Sequence, residues 1–365
     1  MLFQHRISVT LALANLLGLW VLISGLLGGC TALAPIEPTP VSTIQPAGTP
    51  TVTTPAPIPL SISPSASPTD SFYTEYKKEH FTIYYTAEIS PTQVVTVANY
   101  LEAAWRDIPA FLGIEPPSRP IRMYAGLRTS ANWGTPSGVI VLHPDTLKGG
   151  GYSAISHEFT HVLTKYSGPQ WMEEGLAVCM AEKFPLAEKR SGKISADSWS
   201  VGLLKANKWV TLWEWPIGIP EVTDPTQSFN LFRAYRESGS FVKYLIETYG
   251  TSAFWKMHDD INGWFVAEKA YGKSVDALLE EWRQHLAAST IPPEECPDCI
   301  SAYLERVDID MGAYRQKDKL SSEIREQISK ELQAVDEALI DRLDAQAMRQ
   351  HVEAARHLLE ANVNK

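Results

Sequence analysis

Apolar and polar residues alternate over His80-Phe-Thr-Ile-Tyr-Tyr85, which predicts a strand with Phe81, Ile83 and Tyr85 on one face. After Pro91, Val94, Val95, Val97, Ala98, Leu101, Ala104, Trp105, Ile108 and Phe111 recur at three- and four-residue intervals. That spacing predicts an amphipathic helix ended by Pro116 and Pro117. Residues 121–127 and 138–142 read as two more strands, the second short and apolar. Helical spacing returns from Tyr152 to Tyr166, entered through Gly149-Gly150-Gly151. It then dominates Trp171 to Lys183, Phe229 to Tyr249, and Thr251 to Leu286 in at least two pieces. Between the first two, residues 184–228 read as irregular. The tryptophans there, Trp209, Trp213 and Trp215, have aliphatic neighbours that favour a core over a sugar-stacking platform. In the tail, Leu320, Ile324, Ile328, Leu332, Val335, Leu339 and Leu343 form one apolar stripe, predicting an amphipathic helix that packs on the catalytic domain, folds back as a hairpin or pairs with another chain, packing within the chain being favoured. Strands first and helices afterwards give the α+β class, a small mixed sheet plus a helical lobe with a C-terminal amphipathic helical extension.

The first seventy residues stand outside that pattern. His5 and Arg6 precede an apolar run from Val9 to Leu27, followed by Gly28-Gly29-Cys30, which is the layout of a secretion signal over residues 1–29. Leu27-Gly28-Gly29-Cys30 resembles the lipobox of bacterial lipoproteins. The resemblance implies cleavage before Cys30, a lipid on that residue, and an extracytoplasmic protein anchored to the cell membrane. An uncleaved transmembrane anchor is the alternative, since the apolar run is long enough to span a bilayer. Residues 30–70 read as a disordered tether: ten of the 25 prolines fall there among Thr and Ser, with too few large apolar side chains for a core.

The 32 basic and 42 acidic residues leave a net charge of −10 with no long Lys or Arg run, which argues against nucleic acid as a partner. In an oxidising compartment Cys296-Pro-Asp-Cys299 is expected to form a local disulfide, and Cys179 to be buried. A redox role is disfavoured because such motifs open a helix, whereas here the pair follows Ile291-Pro292-Pro293 in an apparent connector.

The chemistry concentrates at His157-Glu158-Phe159-Thr160-His161. Side chains four apart on a helix share a face, so the two imidazoles can take adjacent corners of a zinc tetrahedron, with Glu158 beside them as general base. Trp171-Met172-Glu173-Glu174-Gly175-Leu176-Ala177 begins the next helix and offers Glu174, thirteen residues past His161, as third ligand. Three protein ligands leave the fourth position to water or a substrate carbonyl, the open arrangement of a catalytic site.

With these residues in place, the pattern His157 to His161 followed by Trp171-x-x-Glu174-Gly175-x-Ala177 resembles the gluzincins, and more closely the compact MA-like peptidase domains. The resemblance covers about residues 75 to 288. It implies a zincin-like two-lobed metallopeptidase domain over residues 71–290, followed at 291–365 by the connector and helical extension. It also implies one Zn2+ per chain on His157, His161 and Glu174, and a peptide or protein substrate. It further implies a strand before the metal helix, here Val139, Ile140 and Val141, that lies at a sheet edge and pairs with extended peptide. Tyr235 is the candidate donor to the developing oxyanion. The chain departs from the family pattern at Val178, where thermolysin-like enzymes carry an aspartate one turn after the glutamate ligand. It also lacks a visible exopeptidase motif, which favours an endopeptidase. Two other readings compete. One is a non-catalytic zinc-binding scaffold of the cell envelope, which would have no use for Glu158. The other is a thiol-disulfide protein built on Cys296 and Cys299.

Overall fold

The computed structural model describes residues 73–127, 132–148, 153–184, 194–209, 224–260 and 266–363. The expected signal, Cys30 and the tether lie outside the described residues, as do Gly149 to Gly151, Trp213 and Trp215. Five strands, β1 (Thr74–Lys77), β2 (Phe81–Tyr85), β3 (Ile121–Ala125), β4 (Trp133–Gly134) and β5 (Val139–Leu142), form one mixed sheet ordered β1-β2-β3-β5-β4. The inner three run parallel, and β1 and β4 pair antiparallel at the two edges. Parallel pairing of β2 and β3 requires a crossover, and the helix α1 (Pro91–Leu112) supplies it. Ser90 opens that helix: its hydroxyl accepts the Gln93 N–H while the Gln93 side chain accepts the Ser90 N–H. Gly113, left-handed at φ 68°, ends it.

The remaining chain is helical: α2 (Pro144–Lys148), α3 (Ser153–Thr164), α4 (Gln170–Lys183), α5 (Ala196–Lys205), α6 (Pro225–Tyr249), α7 (Thr251–His258), α8 (Ala267–Tyr271), α9 (Val275–Ala288), α10 (Pro297–Arg315), α11 (Ser322–Arg342) and α12 (Ala345–Val363). The fold is therefore mixed α+β, a small sheet with many helices. Among the described residues no helix is long and apolar enough to cross a membrane.

Two expectations are corrected and one open alternative is decided. Helix α5 lies inside the stretch read as irregular; Ser195 caps it by accepting the Ser198 N–H, and its ten residues are buried on nearly every side. The tail takes the hairpin form: Leu343 turns left-handed at φ 47° and Asp344 accepts the Ala347 N–H to start α12. The Cys296–Cys299 pair is bonded, S–S 2.01 Å, and it does open a helix, with Cys296 at the cap of α10 and Pro297 at its first position. Cys179 is buried as expected.

Two apolar cores share the molecule. One packs Phe81, Ile83, Met123 and Ile140 of the sheet against Val97 and Leu101 of α1, Phe159 of α3 and Met172 and Leu176 of α4. The other joins Trp199 of α5 and Phe232 of α6 to Tyr303 of α10, Val335 of α11 and Val352 of α12. Trp199 stands edge-on to both Phe232, 5.0 Å between centroids, and Tyr303, 5.2 Å. Trp209 meets the core expectation by stacking on Trp282 at 5.3 Å.

Helices α4 and α6 approach closely because two positions carry no side chain. A Cβ on Gly175 would stand 2.6 Å from the Ser238 carbonyl oxygen, and one on Gly239 would stand 2.3 Å from Val178 Cγ1. Gly175→Ala meets backbone that cannot rotate away. It should therefore lower stability by about 1–3 kcal/mol, read as a fall of several degrees in Tm by thermal unfolding.

Candidate metal centre

Helix α3 is wedged between the sheet, α1 and α4, and 11 of its residues are buried. On such a helix the residues four apart that face α4 have nowhere to go but toward it, and these are His157 and His161. Helix α4 starts at Pro169, whose carbonyl accepts the Met172 and Glu173 N–H groups, and its first full turn carries Glu174 back toward α3. The structure brings the three expected ligands together. His157 Nε2 and His161 Nε2 are 3.2 Å apart, and Glu174 Oε2 lies 3.4 Å from the first and 3.3 Å from the second. A tetrahedral ion with bonds of about 2.0–2.1 Å to N and O needs ligand atoms about 3.3–3.4 Å apart, and the triangle has that size. All three side chains are buried, and among the described residues they are the one His, Cys, Asp or Glu group arranged to hold a metal ion. Glu174 Oε2 has no hydrogen-bond partner among the described residues, which a metal would supply. The donor set of two imidazoles and a carboxylate fits a borderline divalent ion such as zinc.

Charge in the site follows from burial. Burial alone would raise the Glu174 pKa, but the adjacent His161 and His157 imidazoles hold the carboxyl well below its usual value. Glu158, next to the triangle, moves the other way. Burial pushes its pKa up to about 7 against the pull of His157, with Glu174 adding to the rise and the Gly134 N–H moderating it. Its Oε1 has no hydrogen-bond partner among the described residues. A carboxylate poised near neutrality with one unengaged oxygen is suited to accept a proton.

Tyr235 is in the site: burial drives its pKa up, and its hydroxyl hydrogen-bonds Glu174, which steadies that carboxylate. Val139, Ile140 and Val141 need a correction: β5 lies between β3 and β4 and is not an edge, because the short β4 covers it. The edge position there belongs to Trp133, half-buried, and Gly134, buried. Gly134 rests on the metal helix, since a Cβ there would stand 2.3 Å from the Glu158 carbonyl oxygen.

Three further residues were missed by the sequence reading. Glu173, beside the ligand Glu174, accepts the Thr164 hydroxyl and the Gly168 N–H at 2.9 Å and pairs with His258 Nε2 at 3.1 Å. Burial works against both charges, but each partner's hydrogen bond and charge win, lowering the Glu173 pKa and raising that of His258. This pair ties the α3–α4 turn to α7. Tyr166 lies flat on His161, ring centroids 4.6 Å apart and planes at 11°. Helix α3 stops at Thr164, two residues short of the expected end, and Lys165 and Tyr166 are both left-handed at φ 57° and 51°. A non-glycine left-handed pair gives no sequence signal, and the contacts of Gly134 and His258 are with residues far along the chain.

Truncating Glu173 leaves His258, which is 0% exposed, without its counter-charge. Glu173→Ala should cost about 3–5 kcal/mol in denaturant unfolding, whereas Asp259→Ala, on an exposed partner of the same imidazole, should cost under about 1 kcal/mol. In comparisons with known proteins, the chain matches no family model and no curated protein.

Proposed function

We propose that the chain is an extracytoplasmic zinc endopeptidase of the gluzincin kind, held at the membrane by a lipid on Cys30. The observation that carries this reading is the triangle of His157, His161 and Glu174 with edges of 3.2–3.4 Å, beside a buried Glu158 that is not one of its corners. A closed structural site would use a fourth protein ligand; three ligands and a neighbouring unengaged carboxylate are what hydrolysis requires.

Zinc bound there would polarise a scissile carbonyl and make water acidic enough to attack it near neutral pH. Glu158 accepts the proton from the attacking water and returns it to the leaving nitrogen. Its pKa near 7 in the absence of metal suits both halves of that exchange. Tyr235 fixes the Glu174 carboxylate through its hydroxyl. An extended peptide that adds to the sheet on this side meets β4, the strand whose Gly134 touches the Glu158 backbone. Backbone pairing of this kind accepts many side chains and suits a peptidase acting within a chain.

The test compares zinc content per chain and cleavage of a mixed peptide library for the wild type and Glu158→Gln. The variant should keep its zinc and lose turnover by about 10²–10⁴-fold. Chelation should abolish wild-type cleavage and added Zn2+ should restore it. A wild-type chain that holds zinc yet cleaves nothing in the library would overturn the peptidase in favour of a binding scaffold.

A further inference from the structure

Metal-bound histidines are ordinarily fixed by a hydrogen bond from the ring nitrogen that does not face the metal, and that outer contact sets ring orientation and basicity. This site lacks it. Among the described residues neither His157 Nδ1 nor His161 Nδ1 has a hydrogen-bond partner, although both rings are buried. The position one turn after Glu174, where an acceptor could stand, is Val178, which is buried against Gly239. Something else must hold the imidazoles in line.

Each ring instead lies against a tyrosine. Tyr235 stacks on His157 at 6.3 Å and 26°, and Tyr166 stacks on His161 at 4.6 Å and 11°, the closer and flatter of the two. The backbone is bent to make the second contact. Lys165 and Tyr166 both occupy the left-handed region, which only glycine adopts without strain, and such strain persists where surrounding structure enforces it. The enforcing contacts are present: Ser167 N–H and Oγ both donate to the Thr164 carbonyl, and Gly168 N–H donates to Glu173. Tyr166 gains little from burial in return, since it remains 42% exposed. A strained turn that presents a half-exposed ring to a buried imidazole serves the imidazole.

Building on the metal-centre reading above, we propose that Tyr166 is a positioning residue that orients the His161 imidazole toward the ion by ring stacking. The planar face carries this role; the hydroxyl, whose pKa is pushed up by burial and by the nearby Glu174, Glu158 and Glu173 carboxylates, is tested separately by Tyr166→Phe. Tyr166 acts through His161 and not on substrate.

The experiment measures Zn2+ affinity by chelator competition, and the visible absorption of the Co2+-substituted protein, for the full chain and for Tyr166→Phe, Tyr166→Leu and Tyr166→Ala. Phenylalanine keeps the face, leucine keeps bulk without it, and alanine removes both. Tyr166→Phe should match the wild type within about twofold, whereas Leu and Ala should each lose about 10–100-fold in Zn2+ affinity and alter the Co2+ spectrum. Wild-type affinity in Tyr166→Leu would overturn the stacking role, as would a Tyr166→Phe loss equal to that of Tyr166→Ala. Thermal unfolding of the metal-free variants separates a ligand effect from a folding defect: equal loss of stability across Leu and Ala with unchanged Zn2+ affinity also overturns it. If the wild type takes up no metal, the metal centre itself falls; if it binds and Tyr166→Ala binds as well, only this inference does.

Discussion

Two imidazole nitrogens and a carboxylate oxygen within 3.2–3.4 Å of one another, all on buried side chains, form a group that could hold a metal ion at its centre. Burying such polar atoms without partners costs free energy. The strongly depressed pKa of Glu174 expresses the same demand, since against burial its carboxylate is stabilised by the imidazoles it faces. The fold can be understood as the apparatus that keeps these three side chains from moving apart.

That apparatus works by close approach. Gly175 and Gly239 let α4 settle against α6, which fixes the helix bearing Glu174; Gly134 lets the edge of the sheet settle on α3 at Glu158. The short turn joining the two ligand-bearing helices is secured by the Glu173–His258 pair, so that neighbouring glutamates on α4 divide the labour. Glu173 faces the structure and Glu174 faces the ion site. The second core, built around Trp199, Phe232 and Tyr303, braces the far ends of α5 and α6 with the C-terminal helices. Through α6, which carries both Gly239 and Tyr235, that bracing reaches the site.

The immediate surroundings of the ligands are aromatic where hydrogen-bonding groups are common. Tyr235 serves twice, with its ring toward His157 and its hydroxyl on Glu174, and Tyr166 covers His161. An imidazole without a carboxylate behind it donates less electron density to its ion. Val178 and the two tyrosine rings thus describe one environment, in which ring faces and an aliphatic side chain surround the His157, His161 and Glu174 group.

The sequence by itself determined that His157 and His161 share one helix face with Glu158 beside them, because two residues four apart on a helix face the same way whatever surrounds them, and this needed only α3 to exist. It also indicated β2 and α1 from their periods, and the helix of Glu174 although Pro169 gives it no side-chain cap and burial on nearly all sides leaves it little period. It missed α5, a helix of ten residues opened by Ser195, and it ran the tail through Leu343 because an apolar stripe does not announce a left-handed residue. Only the tertiary structure decided that β4 and not β5 forms the edge, that Tyr235 holds Glu174, and that Tyr166, Gly134 and His258 attend the site. Each of those depends on contacts between separate elements or on a strained backbone, and neither leaves a periodic trace along the chain.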